Sequence, residues 1–384
     1  MKKKIISVTT GTRADYGLLR PILEKILESK KLKLILIVTG SHLSKQHGYT
    51  LKEIEKDGYK IYAKIQNLPK NDTLEYSTAS IGKTIIEFSK IFKKVKPDIN
   101  LIYGDRDEML ASSIAASHMN IVNAHIHGGD ISGGLDEYNR HAITKMSNIH
   151  FPATKKSKDR IIQMGENKKY VFQTGSSSID EIFQQKIISK SDLEKKYHIN
   201  FKDKQIVLLY HPVTTQIKNS EIEIEKILKA IKKIKKSTII IAPNSDPGFV
   251  KILRIIEKFN KNDEQIQFYR NIPRQDYLGL LKNCSVLIGN SSSGMIEATC
   301  FKIPVINIGN RQKGRETGQN VITMKNPTIT EIFSELKKVT SQNKRKKNHL
   351  SSIYGNGTAS KKIVNILETV PLNRNFIEKD FNTI

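Results

Sequence analysis

The sequence has no tryptophan, two cysteines and few aromatic residues of any kind, 7% of 384 positions. So few rings argue against large stacking platforms of the kind that hold unpaired bases. The two thiols, Cys284 and Cys300, sit in neither a metal-like nor a redox spacing and read as small buried residues in a reducing compartment. No apolar run is long enough to span a bilayer. The start, Met1-Lys2-Lys3-Lys4, imitates the basic end of a signal peptide. The apolar run behind it, Ile5 to Val8, is far too short for one and gives way to Thr9-Thr10-Gly11-Thr12-Arg13. These absences predict a soluble, cytoplasmic protein with no membrane partner.

Acidic residues are also scarce against basic ones, 38 to 64, for a formal charge of +26. Such an excess suits nucleic acid, a membrane surface or acidic ligands. Here the lysines are spread along the chain among Ile and Asn. The densest run, Lys344-Arg345-Lys346-Lys347, has no interleaved aromatic, and no nucleic-acid motif accompanies it. We read most lysines as solvated helix faces, part of the charge as a basic cleft for a diphosphate, and no nucleic-acid partner.

What the chain does have is rhythm. Its length suits two domains, and 38% hydrophobic content is enough for two cores. Short apolar runs at Ile5–Val8, Leu34–Val38, Ile99–Tyr103 and Ile121–Ile126 read as strands. They alternate with helix-period stretches at Leu18–Leu27, Leu74–Val95, Glu108–His118 and Glu137–Met146. The rhythm restarts after the Lys-rich stretch Lys186–Lys204. Strands are expected at Ile206–Leu209, Thr238–Ile241, Ile266–Phe268, Val286–Ile288 and Val305–Ile308, with helices at Glu223–Ile234 and Phe249–Phe259. The βαβα order predicts an α/β chain of two Rossmann-like domains, each a parallel doubly wound sheet, facing a cleft. The expected boundaries are 1–172, 173–365 and a C-terminal tail at 366–384. Ligands of such sheets bind beyond the carboxyl ends of the strands.

Those strand ends carry the candidate residues. The first opens into Thr10-Gly11-Thr12-Arg13-Ala14-Asp15-Tyr16-Gly17, either a plain βα turn or a phosphate-binding helix start with Arg13 as a planar donor. Asp105 and Arg106 follow the strand ending at Tyr103-Gly104, where the carboxylate is either catalytic or a helix cap. His125-Ile126-His127-Gly128-Gly129-Asp130 leads to Asp136-Glu137 and Arg140-His141, an acid cluster beside one strand end. His125 and His127, two apart on a strand, are expected to point the same way, but no third ligand is evident and no metal is expected. His211 ends the first strand of the second half, as an acid or phosphate donor or as a capping or core residue. Asn244 holds the equivalent place one strand on. Gly289-Asn290-Ser291-Ser292-Ser293-Gly294 is either an N-cap box or a diphosphate cradle, with Glu297 one turn inside the helix and placed for ribose hydroxyls.

Taken in order, Arg13-Ala14-Asp15-Tyr16, Gly104-Asp105-Arg106, Gly128-Gly129-Asp130, Arg140-His141-Ala142-Ile143-Thr144-Lys145, His211-Pro212-Val213-Thr214-Thr215, Gly289-Asn290-Ser291-Ser292 and Gly309–Arg315 resemble the hydrolysing UDP-N-acetylglucosamine 2-epimerases over about residues 4 to 365. The resemblance is to the bacterial sialic acid type and to the epimerase half of the bifunctional animal epimerase/kinase. It implies the two-domain glycosyltransferase-B architecture, no cofactor, a UDP-sugar substrate and a homodimer or homotetramer. It further implies that Arg13, Arg106, His211, Asn244, Ser291, Ser292, Glu297 and Arg311 contact the nucleotide sugar, that Ile272 meets uracil through its backbone, and that His42 lies near the sugar. Asp105 and Asp136 match catalytic carboxylates, with Asp130 and Arg140 beside them. The chain departs at His127, where some members carry a catalytic Glu. The reaction expected is conversion of UDP-N-acetylglucosamine to N-acetylmannosamine and UDP. The rivals are the UDP- or GDP-N,N′-diacetylbacillosamine counterpart and a glycosyltransferase of the same fold.

Overall fold

A computed structural model describes residues 2–45, 48–68, 71, 73–184, 187–203, 205–244, 246–260, 265–341 and 352–382. The basic run Lys344–Lys347 lies outside them. The chain divides into two compact units, the first Met1–Ile131, Leu135–Gln184 and Tyr354–Ile384, the second Ser132–Gly134 and Gln185–Ile353.

The first unit runs β1 (Lys4–Thr10), α1 (Arg13–Glu28), β2 (Leu32–Thr39), α2 (Leu51–Lys56), β3 (Ile61–Ile65), α3 (Leu74–Val95), β4 (Ile99–Tyr103), α4 (Asp107–His118), β5 (Val122–Ile126), α5 (Leu135–Lys145), β6 (Ile149–Phe151), α6 (Lys155–Gln163) and α7 (Ser177–Gln184). The second runs α8 (Lys190–Tyr197), β7 (Ile206–Leu209), α9 (Ile217–Ile234), β8 (Thr238–Ile241), α10 (Phe249–Asn260), β9 (Ile266–Tyr269), α11 (Arg274–Asn283), β10 (Val286–Gly289), α12 (Ser292–Phe301), β11 (Val305–Ile308), β12 (Val321–Met324) and α13 (Ile329–Ser341). The chain then returns to the first unit with α14 (Ala359–Thr369) and α15 (Arg374–Ile377).

Each unit holds one six-stranded parallel sheet, in the order β3-β2-β1-β4-β5-β6 and β12-β11-β10-β7-β8-β9. Strands β4 and β5 are buried at every position, as helices on both faces of a parallel sheet require. In both sheets the strand order reverses beside the first strand, between β1 and β4 and between β7 and β10. The loops leaving those four strands are therefore the places where a ligand crevice opens in this topology.

The α/β class and two-sheet plan agree with the sequence reading. Strands β3, β6 and β12 were not foreseen, being short or polar on one face. The domain boundaries need correction. The first unit continues to Gln184 rather than 172, and residues 366–384 are not a separate tail. Ile363, Val364 and Leu367 of α14 bury their side chains in the same core as β1 and α1. The fully buried Asp180 carboxylate caps α14 from α7, accepting from the N–H groups of Ala359 (2.9 Å) and Ser360 (2.6 Å). An amphipathic helix looks the same whichever sheet it covers, so periodicity alone could not assign this return. Among the described residues no helix is long and apolar enough to cross a membrane.

The last residues are fastened by charge. Glu166 is buried and accepts from Lys379 Nζ (2.6 Å), Lys145 Nζ (2.7 Å) and His150 Nε2 (3.0 Å). Burial works to raise this carboxyl, but the bonds from His150 and the two lysines outweigh it and hold Glu166 at about 2. Because its folded value is depressed, its contribution to stability is complete above the ordinary carboxylate range and is lost as pH falls toward 2. Urea-unfolding midpoints of the wild type are expected to decline across that acid window. Glu166→Gln is expected to lower the neutral-pH midpoint and flatten the acid decline. An unchanged pH profile in the variant would remove Glu166 from the anchoring role.

Candidate active site

In the second unit the site is built where β7 and β10 lie side by side. Gly289, at the end of β10, has φ +140°, and a Cβ there would stand 2.0 Å from Leu209 O, so only glycine lets the two strands run this close before diverging. The next residue, Asn290, is buried. Its Oδ1 accepts from the His211 N–H at 2.7 Å, and its Nδ2 donates to the His211 carbonyl at 2.8 Å. That double bond locks the β7 loop to the β10 loop. Asn244, after β8, donates its backbone N–H to His211 Nδ1 at 3.0 Å. Nδ1 is thus an acceptor, which places the imidazole proton on Nε2. His211 is thereby set up as a neutral hydrogen-bond donor. This favours the phosphate-donor alternative over the acid, since a neutral imidazole is a poor proton source, and it is not a core histidine.

Helix α12 begins directly after Asn290. Ser291 is its N-cap, accepting from Ser293 N–H, and Ser292 is the first helical residue. Both alternatives for this segment hold together: the cap is real, and a capped first turn still presents donors and a partial positive charge to an anion. Arg311, in the loop after β11, donates to the Asn290 carbonyl at 3.4 Å, and Gln312 donates to the same oxygen at 2.9 Å. Glu297 lies one turn further along α12 and is 2% exposed. Its Oε1 is bonded by Arg274 Nη2, and its Oε2 has no hydrogen-bond partner among the described residues. A buried carboxylate oxygen without a donor is costly unless a ligand supplies one. Ile272, in the loop before α11, is fully buried.

In the first unit the crossing lies between β1 and β4. Thr12 and Asp15 form a capping box at the start of α1. Asp15 is buried and accepts from Thr10 Oγ1 (2.6 Å), Gly11 N (3.0 Å) and Thr12 N (3.0 Å); burial pushes its carboxyl upward. Arg13 is the first residue of the helix and half-buried. Arg106 donates to Glu108 Oε1 at 2.9 Å, and a Cβ on Gly11 would lie 1.9 Å from that same oxygen. Glu108 thus couples the two loops that carry Arg13 and Arg106. Asp105 is not a helix cap, a place Arg106 takes. Asp105 Oδ2 instead receives Arg140 Nε (3.0 Å) and Nη2.

Arg140 projects from α5 and is 1% exposed. It also donates to the Asp130 carbonyl (3.1 Å) and Glu137 Oε2 (2.9 Å). Burial opposes its charge, but Asp105, Asp130 and Glu137 prevail and raise its pKa above the usual value. Asp136 lies in the first turn of α5, partly exposed, where the helix dipole favours a carboxylate. The first unit therefore joins Arg140 to Asp105, with Asp136 one turn before Arg140 on the same helix.

One expectation changes, for His125 and His127, and two further candidates are found internally bonded. His42 is fully buried: Nε2 meets Thr10 Oγ1 (3.0 Å) and Nδ1 meets Thr50 Oγ1 (2.8 Å), so both nitrogens serve the turn. Burial lowers its pKa to about 4. Asp130 is buried with Oδ1 on Ser157 (2.7 Å) and Oδ2 on His127 (3.2 Å), a bracing place rather than an open acid. His125 and His127 do not share a strand direction, because β5 ends at Ile126 and His127 turns to φ +65°. His125 bonds Thr144 and Gly104 O, while His127 bonds Asp130 and Ser176. Sequence reasoning missed Glu108, Arg274 and the bracing use of Asn290. Only the Thr12–Asp15 spacing carried a local signal for the turn it makes.

Known proteins resemble this chain in sequence and in fold. Over 379 residues the chain is 37% identical to the UDP-N,N′-diacetylbacillosamine 2-epimerase (hydrolyzing) of Legionella pneumophila, covering 99% of both. It is 38% identical to the GDP/UDP-N,N′-diacetylbacillosamine 2-epimerase (hydrolyzing) of Campylobacter jejuni, covering 88% of both. Its fold matches the crystal structure of UDP-GlcNAc 2-epimerase from Neisseria meningitidis bound to UDP-GlcNAc with a TM-score of 0.78, at 19% identity, over 95% of this chain and 99% of that one. Residues 24–368 match the family described as UDP-N-acetylglucosamine 2-epimerase, and the chain belongs to that family.

Proposed function

We propose that this chain is a hydrolysing 2-epimerase that converts a UDP-linked 2-acetamido sugar to UDP and the free C2 epimer. The observation that carries the reading is the His211–Asn290 lock at the β7/β10 crossing, which aims a neutral imidazole donor and the α12 N-terminus beyond the same strand ends. Those donors, with Arg311 in the same unit, suit a leaving diphosphate. The orphaned Glu297 Oε2 suits a ribose hydroxyl.

The chemistry explains why both a diphosphate holder and carboxylates are needed. The proton on C2 is not beside a carbonyl, so a carboxylate cannot readily remove it from the resting sugar. As the C1–O bond breaks, its electron pair leaves on UDP and positive charge at C1 acidifies the C2 proton. Removal of that proton forms the C1=C2 bond of a 2-acetamidoglucal. A proton then returns to C2 from the opposite face, water adds at C1, and the water's spare proton passes to a base. Asp105, fixed by Arg140, and Asp136 are the carboxylates we assign to these transfers. Acid–base groups of this kind typically contribute about 10²–10⁴-fold, and fixed donors at the diphosphate contribute on a similar scale.

The names of the 37% and 38% relatives favour the 2,4-diacetamido sugar, UDP-N,N′-diacetylbacillosamine. The family description favours UDP-N-acetylglucosamine as the second reading, with N-acetylmannosamine as product. Each sugar, as its UDP and GDP form, is to be incubated alone in D₂O and followed by NMR. UDP plus a free sugar carrying deuterium at C2 is expected from one of them. A free sugar that keeps its original C2 proton would sink the elimination route, and an intact, C2-labelled nucleotide sugar would mean a non-hydrolysing epimerase. Activity that requires an added acceptor would mean a glycosyltransferase.

The same assay tests the carboxylates. Asp105→Asn and Asp136→Asn preserve shape but not proton transfer, and each is expected to lose roughly 10²-fold or more in kcat while UDP affinity holds. Near-normal turnover in either variant would take that residue out of the chemistry.

A further inference from the structure

Helices α11 and α12 meet through a four-residue contact that includes Glu297. On α11, Arg274 and Tyr277 are three residues apart and so share a face; on α12, Ser293 and Glu297 are four apart and do likewise. Arg274 Nη2 bonds Glu297 Oε1, and Tyr277 Oη bonds Ser293 Oγ. The contact is dry. The Arg274 and Glu297 side chains are 13% and 3% exposed, and burial pushes the Tyr277 hydroxyl above its ordinary range.

A carboxylate this deep needs a counter-charge, because one left alone in an apolar interior is strongly destabilising. Arg274 supplies it through one oxygen only. That leaves Glu297 Oε2, an acceptor with no partner among the described residues, held at a fixed angle one turn inside the helix. Tyr277 meanwhile braces Ser293 in the first turn, the part of α12 that presents backbone donors.

We propose that Arg274 is the positioning residue that reserves Glu297 Oε2 for the hydroxyls of a ribose, so that the α11–α12 contact selects ribonucleotide sugars over deoxyribonucleotide sugars. The inference rests on the reading that the second unit holds the nucleotide. Its logic is that of any site built around a buried hydrogen-bonding group: a ligand lacking the matching hydroxyl leaves that group unpaired and is rejected. Loss of Arg274 frees the carboxylate to swing or to find other donors, and discrimination fades even where UDP still binds.

The test is isothermal titration of the full chain with UDP and with 2′,3′-dideoxy-UDP. The wild type is expected to prefer UDP by roughly 10-fold or more, the scale of one charge-assisted hydrogen bond. Glu297→Gln and Arg274→Leu are expected to bring the ratio of the two affinities close to one, and Arg274→Lys, which keeps the charge, to restore part of it. Tyr277→Phe is the control on the same helix face, expected to weaken both ligands together and leave the ratio intact. A merely structural role for Arg274 would behave like Tyr277→Phe, and an unchanged ratio in Arg274→Leu would overturn the proposal. Equal wild-type affinities would overturn it as well. Failure of the wild type to bind UDP at all would instead overturn the nucleotide reading on which it rests.

Discussion

The hydrogen-bond pair between the Asn290 side chain and the backbone of His211 is the constraint on which the rest of the second unit's site depends. Two parallel strands whose following segments wind to opposite sides of a sheet must diverge at their carboxyl ends. The divergence leaves backbone groups without ladder partners. Asn290 satisfies a donor and an acceptor of His211 at once, at the point where the ladder stops. The orientation of His211 follows, because its backbone is fixed and Asn244 then reaches Nδ1. The start of α12 follows as well, because Ser291 is the next residue in the chain.

The first unit meets the same topological demand with a different set of groups. At its crossing the link is electrostatic: Glu108 presses against Gly11 and holds Arg106. Around it lies a buried shell of Asp15, His42, Thr10 and Thr12, whose polar atoms are spent on one another. Buried polar groups satisfied in this way rigidify a turn rather than react. The carboxylates differ in exposure: Asp105 keeps 22% of its side-chain surface, Asp130 only 5%.

Much of this architecture was legible in the residues. Strands β4, β7, β8 and β11 begin and end where their apolar runs do, because a strand buried on both faces leaves a continuous run that polar loops must interrupt. The strand-end rule then pointed to Arg13, Asp105, His211, Asn244 and Ser291 before any contact was visible. Strand β12 escaped notice because its pattern is partly exposed, and β6 because it is three residues long.

The sequence by itself determined the order of strands and helices, the glycine turns, and which polar residues stand at strand ends, since all of these follow from local periodicity and local backbone preference. Only the tertiary structure decided which of those residues are spent on internal partners and which stay partly open. His42 and Asp130 carry the same functional groups as His211 and Asp105, yet their partners arrive from residues 8 to 32 positions away in one case and 3 to 27 in the other. Likewise α14 joins the first core across nearly the whole chain, and Arg274 meets Glu297 from a neighbouring helix 23 residues earlier. The chemistry of an ionisable side chain is set by what surrounds it, and those surroundings are assembled from segments that no local pattern connects.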